Sequence, residues 1–172
     1  MYLSGVPEIE RRAIAPGKRG TRQTLEAMRA LAREAARTVA VREAALRIVR
    51  AAGVAGHDFE REALALFAHV RDRIRFVRDP SGAEWLQGPQ YTLEHGFGDC
   101  DDKATALAAL LLAIGTPIDL AFRVIGTRPD AFSHVYVRAK LGGKWLDLDP
   151  TYPETPAGWA VNAPATVADM RV

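Results

Sequence analysis

From Ala104 to Ile114 the chain is apolar at every position except Thr105. A helix that is apolar on every side has to be buried on every side. This segment therefore predicts a central helix with the rest of one domain built around it. Gly115 and Pro117 supply its stop signals, and Asp99 with Asp102 three residues later gives its start the spacing of a capping box. It is far shorter than the ~20 apolar residues a membrane span needs, and no other run comes closer. The only cysteine of the chain, Cys100, falls in the first turn of this helix.

A length of 172 residues and a hydrophobic share of 48% suit one globular domain with a helical extension. One cysteine excludes an intramolecular disulfide and a thiolate metal cluster. The net charge of +2 is too small to imply a nucleic-acid partner, although residues 1–50 carry 11 Lys and Arg against 5 Asp and Glu. Residues 1–20 mix Pro7, Pro16 and Gly17 with charges and lack a signal-peptide core, so a soluble, cytoplasmic protein is expected.

Residues 1–20 read as an extended arm. Thr21 to Ala52 lacks Gly and Pro and repeats Leu25, Met28, Leu31, Ala35 and Val39 at helical steps, with a division near Thr38–Val41. Arg29, Arg33 and Arg37 form a stripe, read as a solvated face, with docking of an acidic protein partner as the alternative. A further amphipathic helix starts after the N-cap Asp58 and runs through Leu64, Phe67, Val70 and Ile74. Residues 75–99 read as a long loop that packs through Trp85, Leu86, Tyr91 and Phe97. Three strands follow, over Ile118–Ile125, Phe132–Lys140 and Lys144–Asp149, the last two joined by the two-residue turn Gly142-Gly143. The tail from Pro150 reads as irregular apart from a short turn near Ala165–Met170. The expected division is an arm and helical extension over 1–55 and a second domain over 56–172.

Cys100 at a helix N-terminus is placed where the macrodipole favours a thiolate. Asp99, Asp101 and Asp102 push the other way, so a nearby imidazolium is needed to settle the contest. His134 is the natural base. If Gly142 and Gly143 are the loop, Leu141 faces Lys144, Arg138 faces Asp147, and Asp149 lies opposite Tyr136. Asp149 then becomes the diagonal neighbour of His134, at roughly 5–8 Å between backbones. Asp147 lies ~13 Å along the strand and pairs with Arg138. Nucleophile, base and orienting carboxylate follow the logic of acyl-transfer triads.

The bland readings apply elsewhere. His57, His69 and His95 read as structural or surface residues without zinc-ligand spacing. The three aspartates around Cys100 read as capping and solvated groups rather than a cation site. No phosphate loop is present. Trp85, Trp145 and Trp159 either line a substrate groove or, more commonly for such residues, join the core.

Gly98-Asp99-Cys100-Asp101-Asp102 opening an Ala/Leu helix resembles the Cys segment of the transglutaminase-like superfamily. Ser133-His134-Val135-Tyr136-Val137 resembles its His strand. Trp145-Leu146-Asp147-Leu148-Asp149-Pro150-Thr151 resembles its Trp-x-x-x-Asp-Pro-Thr segment, which selects Asp149 independently. Arg75–Pro80 resembles the segment before the Cys loop in bacterial and phage members, and the likeness covers about residues 60–152. It implies a papain-like α+β fold in which the Cys helix packs on an antiparallel sheet. It also implies a Cys100-His134-Asp149 triad that works through a thioester on a protein or peptide substrate, without a metal or cofactor. A tetrahedral oxyanion needs donors: the Cys100 backbone N–H at the helix start is one, and for the second the preceding loop offers Gln87, favoured over Gln90 and the Trp85 indole N–H, at a spacing that differs from the papain pattern. Hydrolysis is favoured over amine transfer. The Gly-Asp-Cys-Asp-Asp form is similar to small members encoded in bacteriophages and prophages, so a phage origin is expected. The alternative is a weak or inactive binding or structural module of a phage particle or its assembly, associated with the virion.

Overall fold

The computed structural model describes residues 14–80, 85–115, 118–129, 131–161 and 164–172. Three helices open the chain: α1 (Gly17–Ala35), α2 (Val39–Ala51) and α3 (Phe59–Arg73). A short strand β1 (Arg75–Phe76), helix α4 (Pro89–His95) and strand β2 (Phe97–Gly98) lead into α5 (Cys100–Ala113). Four strands complete the fold: β3 (Leu120–Gly126), β4 (His134–Leu141), β5 (Lys144–Leu148) and β6 (Thr166–Arg171), in the antiparallel order β5-β4-β3-β6.

The all-apolar segment is the helix around which everything else packs. Ala104 and Leu107 to Leu111 are each 0% exposed, and burying each leucine contributes about 1.5–3 kcal/mol. Thr105, the interruption in the run, returns its hydroxyl to the Asp101 carbonyl at 2.6 Å, so it adds no unsatisfied group. On one side of α5 lie α1, α2 and α3; on the other, Phe122, Val124, Val135, Val137, Ala139 and Leu148 come from the sheet. Helices from both sides of the expected 55/56 boundary join this one buried cluster. No described helix is long and apolar enough to cross a membrane.

Several local expectations hold. The helical segment divides at Thr38, whose side chain accepts the Val41 N–H, and Asp58 caps α3 through the Arg61 N–H. Gly142 and Gly143 both have positive φ (54° and 80°), as a two-residue hairpin turn requires. The register is as expected: Leu141 faces Lys144, Arg138 faces Asp147 and Val137 faces Leu148. Gly115 ends α5 with φ 69°; Pro117, Ser81, Gly82 and residues 1–13 of the expected arm lie outside the described residues.

Three readings need correction. The arm does not extend to residue 20, because α1 already begins at Gly17 behind the extended Pro16. The stretch 75–99 is not one loop. Gly88-Pro89 starts α4, and Gly96 in the left-handed region (φ 69°) stops it after seven residues, too few to show a helical period. β1 and β2 pair in parallel, with Arg75 N–H donating to Gly96 O at 2.8 Å and Val77 N–H to Gly98 O at 3.0 Å. The tail is not irregular either, since β6 adds an edge strand to β3. It pairs with β3 along its whole length, Met170 and Val172 pack against the core, and Arg123 donates across the strands to both Asp169 oxygens at 2.7 and 2.9 Å.

Candidate active site

The start of α5 sets the position of Cys100. The Asp99 carboxylate accepts the N–H groups of Asp101 (3.2 Å) and Asp102 (3.5 Å), and Asp102 in return accepts that of Asp99 at 3.3 Å. The expected capping box is therefore present, and its bonds leave out the N–H of Cys100. The Cys100 side chain is partly buried, and the backbone N–H of Val135, the residue after His134, is among the groups that favour its thiolate. Burial pushes the thiol up to about 12, with the charges of Asp101 and Asp99 acting in the same direction against the N–H groups of Val135 and Asp101. Burial, which sequence spacing does not reveal, is the largest of these effects, ahead of the carboxylate charges.

His134 opens β4, and Asp149 follows β5 directly. His134 Nε2 and Asp149 Oδ2 are 2.7 Å apart, with side chains 11% and 1% exposed. The second carboxylate oxygen of Asp149 accepts the Thr151 N–H at 3.0 Å. Asp147 instead receives Arg138 Nε at 2.7 Å, in the cross-strand pair that the register predicts. With Nε2 engaged by Asp149, Nδ1 is the imidazole nitrogen left for proton exchange.

Gln87 does not stand open toward an oxyanion. Its backbone N–H donates to Asp102 Oδ1 at 2.7 Å and its Nε2 to Asp102 Oδ2 at 2.8 Å, so it clasps the preceding segment to the Cys helix. Gln87 Oε1 is buried without a hydrogen-bond partner among the described residues. Burial pushes the Asp102 carboxyl up to about 7, against the Gln87 N–H. Gln90 is tied to Glu94 at 2.8 Å, and Trp85 N–H bonds the Asp79 carboxylate.

The remaining candidates fall outside this cluster. His95 stacks on Tyr91 (3.9 Å between centroids) and bonds the Tyr91 carbonyl at 2.9 Å, as a structural histidine does. Carboxylate oxygens of Asp99, Asp101 and Asp102 lie within 4.8 Å of one another, and the capping box and Gln87 already engage Asp99 and Asp102. Trp145 lies under Arg171 and Arg138 (4.5 and 5.5 Å). Trp85 and Trp159 are 57% and 37% exposed, so they are not core residues.

Sequence reasoning missed Lys103. It is 1% exposed, and its Nζ donates to the carbonyls of Ile74 (2.6 Å) and Arg71 (3.4 Å) at the end of α3. Burial lowers it to about 8, while Asp149 and then Asp72 pull it back up. The signal was available: a lysine one turn inside an otherwise buried helix must find acceptors.

A helix-borne thiol packed against an antiparallel sheet that carries a His–Asp pair defines a papain-like, transglutaminase-like α+β protein. Residues 47–150 match the profile of the transglutaminase-like superfamily, and the chain belongs to it. No curated protein sequence matches. Among solved structures, a candidate protease from Parabacteroides distasonis is similar, with TM-score 0.54 and 15% identity over 77% of this chain and 27% of that one. A candidate cysteine protease from Cytophaga hutchinsonii (TM-score 0.49, 16% identity) is covered over 51% of its length by 77% of this chain. Legionella pneumophila LapG (TM-score 0.47, 16% identity) is covered over 76% by 77% of this chain. The chain thus spans about a quarter and about half of the first two.

Proposed function

We propose that the protein is a cysteine-dependent acyl-transfer enzyme that hydrolyses peptide or carboxamide bonds in protein or peptide substrates. The observation that carries this reading is the 2.7 Å bond between His134 Nε2 and buried Asp149, with the backbone N–H of the next residue, Val135, favouring the Cys100 thiolate. Asp149 keeps the Nε2 proton in place, so Nδ1 accepts the thiol proton as sulfur attacks the carbonyl carbon. A thiol held near 12 does not ionise by itself at neutral pH, so its proton passes to the imidazole in the same step in which sulfur attacks the carbonyl. The Cys100 N–H, outside the capping bonds, donates to the tetrahedral oxyanion. Its collapse expels the amine, which takes the proton from His134, and leaves a thioester. Water, deprotonated by the same imidazole, then releases the acid and the thiol.

The raised thiol favours a second reading, a catalytically silent binding module. In that case exposed Arg33 and Arg37 become the working surface, docking an acidic protein. The rate of Cys100 alkylation by iodoacetamide against pH separates the two. The enzyme reading expects a plateau beginning near neutrality that is lost in His134→Ala. A rate that climbs only at high pH, alike in both proteins, leaves the binding module.

A further inference from the structure

Tyr152 and Trp159 lie in the segment between β5 and β6 and remain 43% and 37% exposed. The Tyr152 ring is 5.5 Å from the His134 ring, and Trp159 meets Tyr152 edge to face at 5.6 Å. Tyr152 also senses the reactive end of the site. Burial raises its phenol, and the charges of Asp149 and Cys100 add to that.

The backbone that carries the two rings is fixed while the side chains stay partly exposed. Thr151 N–H is bonded to Asp149, and the Thr155 hydroxyl donates to the Tyr152 carbonyl at 2.8 Å. Arg71 Nη1 anchors the Thr155 carbonyl at 2.6 Å. Gly158 N–H reaches Asp147 O at 2.7 Å, and Trp159 N–H reaches Pro156 O at 3.1 Å. Gly158 adopts φ 87°, and a Cβ there would stand 3.0 Å from Leu146 Cδ1, so this turn has a single tight route past β5. Large rings fixed beside His134 and partly open to solvent are pre-organised to receive a side chain at little further entropic cost.

We propose that Tyr152 and Trp159 form a shelf beside His134 that takes an aromatic side chain of the substrate adjoining the bond attacked by Cys100. The proposal rests on the acyl-transfer reading for what occupies the shelf. An aromatic guest suits a pair that already meets edge to face, because a third ring extends the same geometry.

The test compares Cys100 alkylation by iodoacetamide and by N-benzyl-iodoacetamide, which carry the same reactive group. Wild type is expected to favour the benzyl reagent by about three- to tenfold over the ratio given by N-acetylcysteine, the range an aromatic pair contributes. Trp159→Ala and Tyr152→Leu are each expected to bring the ratio back toward that of the free thiol; Trp159, partly exposed on a turn, keeps the test readable if the tyrosine variant misfolds. A wild-type ratio equal to that of N-acetylcysteine overturns the shelf, as does a preference that survives in Trp159→Ala. An equal gain for an iodoacetamide bearing an alkylammonium group overturns the aromatic assignment. The ratio can be read even from an ordinary thiol. Failure of the catalytic reading shows instead in the absolute rate and its independence from His134.

Discussion

Gly98 and Asp102 approach so closely that a Cβ on Gly98 would stand 2.6 Å from Asp102 Cβ and 3.0 Å from its Oδ2. The end of β2 is thereby pressed on the first turn of α5, where the nucleophile sits. Gly98→Ala is expected to destabilise by about 1–3 kcal/mol through overpacking, lowering Tm by several degrees. Because Asp102 must shift, the capping box loosens as well. Thermal unfolding followed by circular dichroism checks this, and an unchanged Tm would show that the contact relaxes freely.

The Asp102 carboxyl, pushed from 3.8 to about 7 chiefly by burial, makes stability depend on pH. Between about pH 4 and 7 the folded chain holds a proton that the unfolded chain has released. This contribution is complete below pH 4 and is lost as pH rises through 7. In Asp102→Asn the side-chain oxygen still accepts the Gln87 N–H and the new amide donates to the orphaned Gln87 Oε1 once that side chain turns over, while the Asp99 N–H loses its acceptor in the capping box at every pH. Wild type is expected to show a decline in urea midpoint between pH 5 and 7 that the variant lacks. Parallel curves for the two proteins would contradict the assignment.

Asp149 accepts from two converging donors, His134 and the Thr151 N–H. Asparagine offers one acceptor oxygen where two are needed. Asp149→Asn is therefore expected to satisfy Thr151 and turn its NH2 toward His134 Nε2, which moves the imidazole proton to Nδ1 and blocks acceptance from Cys100. The rate of Cys100 alkylation at pH 7 should fall about 10²-fold or more. A rate within threefold of wild type would mean that Asp149 does not set the tautomer.

Lys103 is lowered from 10.5 to about 8, so the folded chain gives up its proton before the unfolded chain does. Between about pH 8 and 10.5 the unfolded state binds more protons, and the Lys103 contribution to stability rises with pH. Lys103→Met strands the Ile74 carbonyl, a loss of about 1–3 kcal/mol, while removing the cost of the buried charge. The gap in urea midpoint between wild type and the variant is expected to move in favour of wild type from pH 7 to pH 9.5. A constant gap would argue that Lys103 stays charged across that range.

The parts legible in the sequence are those whose physics is local. The apolar run from Ala104 onward leaves no solvated face, so α5 had to be central. Two adjacent glycines set the hairpin, and the hairpin places Asp149 beside His134 by parity alone. The parts that escaped are governed by distant partners. β6 has little apolar alternation, and its register depends on Arg123 meeting Asp169, 46 residues away. Gln87 and Asp102 find each other across 15 residues with no pattern to announce it. α4 is too short to repeat. The exposure of Trp159 follows from a turn at Gly158 that composition alone reads as irregular tail.

The burial of α5 has a consequence for how this chain can change over generations. From Asp101 to Leu111 every position is enclosed, so nearly any substitution there threatens the whole molecule and is removed whatever the thiol does. Cys100, half-sheltered at the first turn, is the exception. A lineage that ceased to need the thiol could replace it by serine or alanine and keep an intact scaffold, whereas one that needs it has no second cysteine to fall back on. A single codon thus separates the two histories open to this domain.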